Sequence, residues 1–193
     1  MNKHRFSDSE RTGVYKAIAE RRDMRHFLPD PVDPDVLQNL LQAAHKAGSV
    51  GLMQPWRFIR ITKTKLREKI YQLVEQERVN TAKALAERED EFMKLKVEGI
   101  KECAELMVVA LPDKREQHIF GRRTLPEMDL ASTACAIQNM WLAARAEGLG
   151  MGWVSLFEPV ALAELLKMHP GNTLLASLCQ RLFIRMILSP TSD

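Results

Sequence analysis

Arg21-Arg22-Asp23-Met24-Arg25-His26-Phe27 places three guanidinium groups and one carboxylate within five residues, just ahead of the chain breaker Pro29-Asp30-Pro31. Arginine forks match phosphate oxygens in bidentate fashion, so arginines clustered where a helix gives way to a loop suit an anionic ligand. The same residues suit a solvated helix end, where the macrodipole is negative and cations are favoured, and spacing alone points that way. What brackets the stretch is helical. Ahead of it, Ser7-Asp8-Ser9-Glu10 carries the spacing of a capping box, and Val14, Tyr15, Ile18 and Ala19 follow as one apolar face. Behind it, Asp33-Pro34 opens a second helix with the face Leu37, Leu40, Leu41 and Ala44, closed by Gly48. An arginine-rich loop between two amphipathic helices makes a pocket wall.

Ser49 to Trp56 has neither helical nor strand periodicity, and Gly51 permits close approach of the backbone to a ligand. Phe58-Ile59-Arg60-Ile61 reads as a strand. Lys63 to Glu98 is charged and helical in pattern, with Leu66, Ile70, Leu73 and Val74 on its first buried face. Between Glu75 and Glu91 the apolar residues thin to Val79, Ala82, Leu85 and Ala86, the pattern of a solvated, mobile helix or hairpin. Glu105 to Leu111 is a buried-strand run ended by Pro112.

Asp129 to Glu147 is the most apolar helix. Leu130, Ala134, Ile137, Trp141 and Leu142 share one side, and Ala131, Cys135, Gln138 and Ala143 spread the apolar surface around it, which marks a central or interfacial helix. Gly148-Leu149-Gly150-Met151-Gly152 then leads into the strand Trp153-Val154-Ser155-Leu156-Phe157. Glycines at alternate positions suit a backbone lying flat against a planar ring, and a following strand excludes the dinucleotide fingerprint, which needs a helix there. Pro159 starts a helix with Leu162, Leu165 and Leu166 inward, and Thr173 to Cys179 reads as a last strand.

The 193 residues, 46% hydrophobic, are enough for one sizeable core, so a single domain over 1–193 is expected. A net charge of +3, with basic and acidic residues interleaved, gives no nucleic-acid stripe. No apolar run approaches a membrane span and the polar start, Met1 to Glu10, is no secretory signal. Cys103, Cys135 and Cys179 read as buried thiols of a cytoplasmic protein, and the histidines lack metal-ligand spacing.

Arg21-Arg22-Asp23-Met24-Arg25 resembles the flavin-phosphate motif of the nitroreductase superfamily, with aspartate where the wider superfamily carries serine. Three further stretches resemble one branch of it, the 5,6-dimethylbenzimidazole synthases: Ser49-Val50-Gly51-Leu52-Met53-Gln54-Pro55-Trp56, Gly121-Arg122-Arg123-Thr124-Leu125-Pro126-Glu127-Met128-Asp129-Leu130, and Gly150-Met151-Gly152-Trp153-Val154-Ser155. The likeness runs in order from about Phe6 to Gly171 and implies an α+β, nitroreductase-like fold, a central mixed sheet flanked by helices in a dimeric flavoprotein. It also implies a lid over 75–97 that covers the flavin of the partner subunit. Residues 180–193 depart from the family, and the apolar-basic run Leu182 to Leu188 reads as an unprotected, altered end that exposes apolar side chains.

The activity implied is oxygen-dependent fragmentation of reduced FMN, taken as substrate, to 5,6-dimethylbenzimidazole, the lower ligand of cobalamin. Its implied cofactors are FMN and dioxygen, and its implied partners are a second copy of the chain and a separate flavin reductase. By resemblance Asp23 and Ser155 are the catalytic pair, Asp23 as proton acceptor and Ser155 beside the flavin N5. Arg21, Arg22, Asp23, Met24, Arg25, Ser49, Gly51, Gly152 and Ser155 would contact the flavin, with no metal. The competing readings are an NAD(P)H-dependent nitroreductase or dehalogenase that turns FMN over, against which Asp23 speaks, and a flavin-binding protein without activity.

Overall fold

A computed structural model of the chain describes residues 4–24, 27–28, 30–85, 88–94, 97, 99–112 and 115–168, and the backbone of 182–188. Helix α1 (Asp8–Glu20) starts at the expected capping box: the Ser7 hydroxyl accepts from Glu10 N–H, and the Glu10 carboxylate accepts from Ser7 N–H at 2.8 Å. Its apolar face turns outward, however. Val14, Tyr15 and Ile18 are exposed, Tyr15 to 68%, and no residue of α1 is buried within the chain. Helix α2 (Pro34–His45) is capped by Asp33 and buries Leu37, Leu40 and Ala44 as expected. It ends at His45, earlier than Gly48, and Gly48 does not take the left-handed conformation of a glycine stop.

The sheet contains β1 (Arg57–Arg60), β2 (Glu105–Ala110), β3 (Leu149–Val154) and β4 (Leu182–Leu188) in the order β1-β2-β4-β3. These four pair antiparallel, and the parallel component among the described residues is the bridge Asp23↔Met151. β2 is buried at every position, and its side chains alternate between two cores. Met107 and Val109 join Leu40, Ile137, Met140 and Trp141 beneath α2 and α6 (Met128–Ala146). Leu106 and Val108 join Ile70, Val74, Ile100 and Leu162 beneath α3 (Thr64–Ala84), α5 (Gly99–Glu102) and α7 (Pro159–Leu165). The result is helices on both faces of one sheet, with α4 (Glu89–Met93) packed on α3. No helix of the described residues is long and apolar enough to cross a membrane.

Leu182–Leu188 overturns the expectation of an unprotected end, because it is an inner strand with β2 on one edge and β3 on the other. A near-continuous apolar run suits such a place: inner strands of helix-covered sheets are apolar on both faces, and two neighbours satisfy the backbone groups on both edges. The expected strand Thr173 to Cys179 and the thiol Cys179 lie outside the described residues. Cys103 is buried as expected, whereas Cys135 is exposed, since α6 buries the opposite face through Ser132, Ala136, Met140 and Ala144. Within the span expected to be a lid, Ala82 is buried, and Arg78 ties α3 to α4 by donating to Glu75 and to the Met93 carbonyl at 2.6 Å.

Candidate functional site

The arginine stretch leaves α1 and lies across β3. The Glu20 carboxylate accepts from Arg145 of α6 at 2.6 Å, which fixes the end of α1. Arg21 stacks its guanidinium 4.6 Å from the Trp141 ring, and Trp141 in turn leans on Trp153, with ring centroids 6.4 Å apart. Arg22 is exposed and donates from Nη1 to the carbonyls of Ala19 and Arg21 at 2.7 and 2.9 Å, capping the negative end of α1. The helix-end role weighed for this cluster is therefore the one Arg22 fills in the free chain.

Asp23 and Met24 dock on the glycine strand. Met24 N–H donates to the Met151 carbonyl at 3.0 Å, and Asp23 Oδ1 accepts the Trp153 N–H at 3.0 Å. Gly152 is needed here for close packing of the chain: a Cβ on it would stand 2.5 Å from the Met24 carbonyl oxygen, inside contact distance. Ser155 follows two residues after Trp153 and is exposed at the exit of β3. The fold thus brings Arg21, Asp23, Met24, Gly152 and Ser155 together. Arg25 lies outside the described residues.

Ser49 and Gly51 are held elsewhere. Val50 N–H donates to Ser132 Oγ at 3.2 Å, Gln54 N–H donates to Ser49 Oγ at 2.7 Å, and His118 Nε2 bonds the Gly51 carbonyl at 3.0 Å. Gly51 has φ +58°, and a Cβ there would meet the Phe120 carbonyl at 2.5 Å, so no other residue fits without moving the loop. Ser132 and Trp141 are nine residues apart on α6, which at 1.5 Å per residue separates the two groups of site residues by roughly 13 Å along the helix axis.

Beneath the Gly51 loop is a charged network that no spacing in the sequence revealed. Asp129 accepts from Arg115 Nε at 2.7 Å and from Arg122 Nε at 3.2 Å, and the side chains of Asp129 and Arg115 are only 5% and 4% exposed. Arg115 also donates to the Pro112 carbonyl. Arg122 and Asp129 belong to a motif already singled out, but Arg115 and His118 carried no signal of their own. At the start of β2 Arg60 grips the buried Glu105 with two bonds, and these hold the Arg60 guanidinium above its usual pKa. Among the described residues no cluster of histidine, cysteine, aspartate and glutamate could hold a metal ion.

The sequence matches the nitroreductase family over residues 18–179. The chain belongs to that family. It is 39% identical over 178 residues to a 5,6-dimethylbenzimidazole synthase of Rhodospirillum rubrum, an alignment covering 90% of this chain and 83% of the relative. Solved structures share the fold. An oxidized iodotyrosine deiodinase bound to FMN and 3-iodo-L-tyrosine superposes with a TM-score of 0.74 at 19% identity, over 93% of this chain and 91% of that one. A BluB-like flavoprotein from Clostridium difficile 630 superposes with a TM-score of 0.69 at 18% identity, with the same coverage. The expected α+β class and nitroreductase-like architecture are therefore those of the molecule.

Proposed function

We propose that this chain is a 5,6-dimethylbenzimidazole synthase that consumes reduced FMN and dioxygen. The observation that carries the reading is the attachment of the Asp23 carboxylate to β3 at Trp153, on the strand that ends at the Ser155 hydroxyl. The identity with a curated synthase along most of both chains supports it. The residues present fit a flavin phosphate. Exposed Arg22 and half-buried Arg21 supply cationic forks, and an exposed carboxylate and hydroxyl lie along the same strand end, where a polar ring edge has to exchange protons.

Reduced FMN supplies the electrons that dioxygen takes up and the dimethylbenzene ring that becomes the product. The protein's own groups hold it and move its protons. Arg21, Arg22 and Arg25 bind phosphate and ribityl oxygens, for which Arg22 exchanges the carbonyls of Ala19 and Arg21. Asp23, with Oδ1 fixed by Trp153 N–H, accepts the proton lost at C1′ of the ribityl chain, a role worth about 10² to 10⁴ in rate. Ser155 holds or returns a proton near N5. Ser49 and the backbone at Gly51 face the ring, and Met24 and Gly152 form the floor.

The working unit in this reading is a cytoplasmic homodimer of single domains spanning 1–193, supplied with reduced FMN by a separate reductase. Its lid is the segment 75–97. Two observations support a second subunit: the separation of the Asp23 and Gly51 groups along α6, and apolar side chains left open on α1 and around Gly51, where Phe120 is 80% exposed. The test is anaerobic reduction of protein-bound FMN, admission of air and chromatography of the products. Benzimidazole supports the reading. Intact FMN with NAD(P)H consumption replaces it with a nitroreductase, and intact FMN without consumption replaces it with a flavin-binding protein.

A further inference from the structure

Helix α6 holds the end of α1 at two consecutive turns. Arg145 donates to the Glu20 carboxylate at 2.6 Å. Trp141, one turn earlier on the same face of α6, lies under the Arg21 guanidinium, 4.6 Å from ring centroid to Cζ. Arg145 thus occupies the carboxylate next to Arg21 in the chain, and Arg21 forms no ion pair and no side-chain hydrogen bond among the described residues. Its side-chain partner there is the aromatic face. A cation over a π-face is attracted by the ring quadrupole and uses none of its N–H donors. Arg21 is therefore held half-buried with its donor fork uncommitted, whereas Arg22 has its Nη1 engaged by the carbonyls of Ala19 and Arg21.

Trp141 is itself firmly placed. It is 7% exposed, packs in the core with Leu40, Ile137 and Met151, and leans on Trp153, whose backbone N–H holds Asp23. Its indole Nε1 is buried and has no acceptor among the described residues. Packing alone would be better served by a side chain without that donor, because a buried N–H lacking a partner destabilises the fold. What tryptophan adds over the other aromatic side chains is the strongest face for a cation.

We infer that Trp141 is a positioning residue for the flavin phosphate: its ring sets the Arg21 guanidinium in place before the ligand arrives, with the donors open for bidentate bonds to phosphate oxygens. This role rests on the flavin reading above. Trp141 acts through Arg21, and ordering a long, rotamer-rich side chain beforehand removes a cost that binding would otherwise carry.

The test compares oxidised FMN with riboflavin, which lacks the phosphate, by flavin fluorescence titration of the full chain. The wild type should bind FMN more tightly than riboflavin. Trp141→Leu should cut that preference about fivefold or more, through weaker FMN binding at nearly unchanged riboflavin affinity. Trp141→Phe, which keeps a π-face and removes the orphaned donor, should restore much of it. Arg21→Gln should lower the preference as well, and adding Trp141→Leu to it should lower it no further. A second measurement stays decisive if Trp141→Leu folds poorly. Site-specific incorporation at position 141 of tryptophans with increasing numbers of ring fluorines keeps the side chain's shape while draining its negative face, so the FMN preference should fall stepwise. A preference unmoved by ring fluorination, or equal weakening of both flavins in Trp141→Leu, overturns the positioning role and leaves the flavin reading intact. A wild type that binds neither flavin, or both equally, contradicts the flavin-phosphate reading itself, and this role falls with it.

Discussion

The Asp23 carboxylate accepts the backbone N–H of Trp153 at 3.0 Å, across 130 residues of sequence. This bond, with that from Met24 N–H to the Met151 carbonyl, converts a loop after a surface helix into an extension of the sheet. An acidic side chain is thereby held among arginines at a defined place on a rigid strand.

Gly152→Ala tests that attachment. The new Cβ would meet a backbone oxygen at 2.5 Å, and the Met24 carbonyl cannot rotate away as a flexible side chain could. The loop must shift, so FMN affinity should fall by about tenfold or more while global stability drops by only ~1–3 kcal/mol, the usual range for overpacking. Flavin fluorescence titration and urea unfolding measure the two effects separately.

Asp129→Asn tests the network beneath Gly51. It leaves the guanidiniums of Arg115 and Arg122 in place and removes their countercharge, and Arg115 is almost wholly buried. Breaking a buried pair from one side costs about 3–5 kcal/mol, well above the cost of most surface changes. Urea unfolding should show that loss. Arg88→Ala, which removes an ion pair exposed on both sides, should leave stability nearly unchanged.

Much of this arrangement was legible in the sequence where local rules act alone. Ser7 and Glu10, Asp33 and Pro34, and the unbroken apolar run of β2 each specify an element through neighbours a few residues away. The motifs at Arg21 and Gly150 were singled out through resemblance, but spacing could not reveal that they touch. Nor could it reveal which atom presses on Gly152, because that atom comes from Met24. The outward face of α1 reads as core by periodicity, since a periodic stripe shows that a surface is apolar without saying which molecule covers it. For Leu182–Leu188, apolar character was plain, yet its place between β2 and β3 depends on pairings with residues far back in the chain.

The α1 stripe leads to a prediction about assembly. Val14, Tyr15 and Ile18 are open in the single chain, and covering such side chains is worth roughly 1.5–3 kcal/mol each. Sedimentation of the wild type should give a dimer. Ile18→Glu, which cannot disturb a buried core because α1 has no buried residue, should shift the equilibrium toward monomer. A wild-type monomer that retains FMN would rule out the dimer.

The start of α1 should respond to acid. The Glu10 carboxyl is held below its ordinary value of 4.5, first by the Ser7 hydroxyl and then by the Ser7 backbone N–H. A depressed carboxyl stabilises the fold above the unfolded value, and the effect is lost as pH falls through the folded value. Amide exchange in the first turn of α1 should therefore be slower in the wild type than in Glu10→Gln near neutrality, and the two should converge in acid.

The most direct measurement is product formation by Asp23→Asn beside the wild type. Asparagine keeps an Oδ1 that can accept from Trp153 N–H, so the loop stays docked and FMN should still bind. What it loses is the capacity to take up a proton, a contribution on the order of 10² or more in rate. After anaerobic reduction and admission of air, chromatography should show 5,6-dimethylbenzimidazole from the wild type. From the variant it should show reoxidised, intact FMN, with product reduced at least about a hundredfold. Near-normal benzimidazole from Asp23→Asn would contradict the assignment of Asp23 as the base, and absence of benzimidazole from the wild type would contradict the proposed reaction itself.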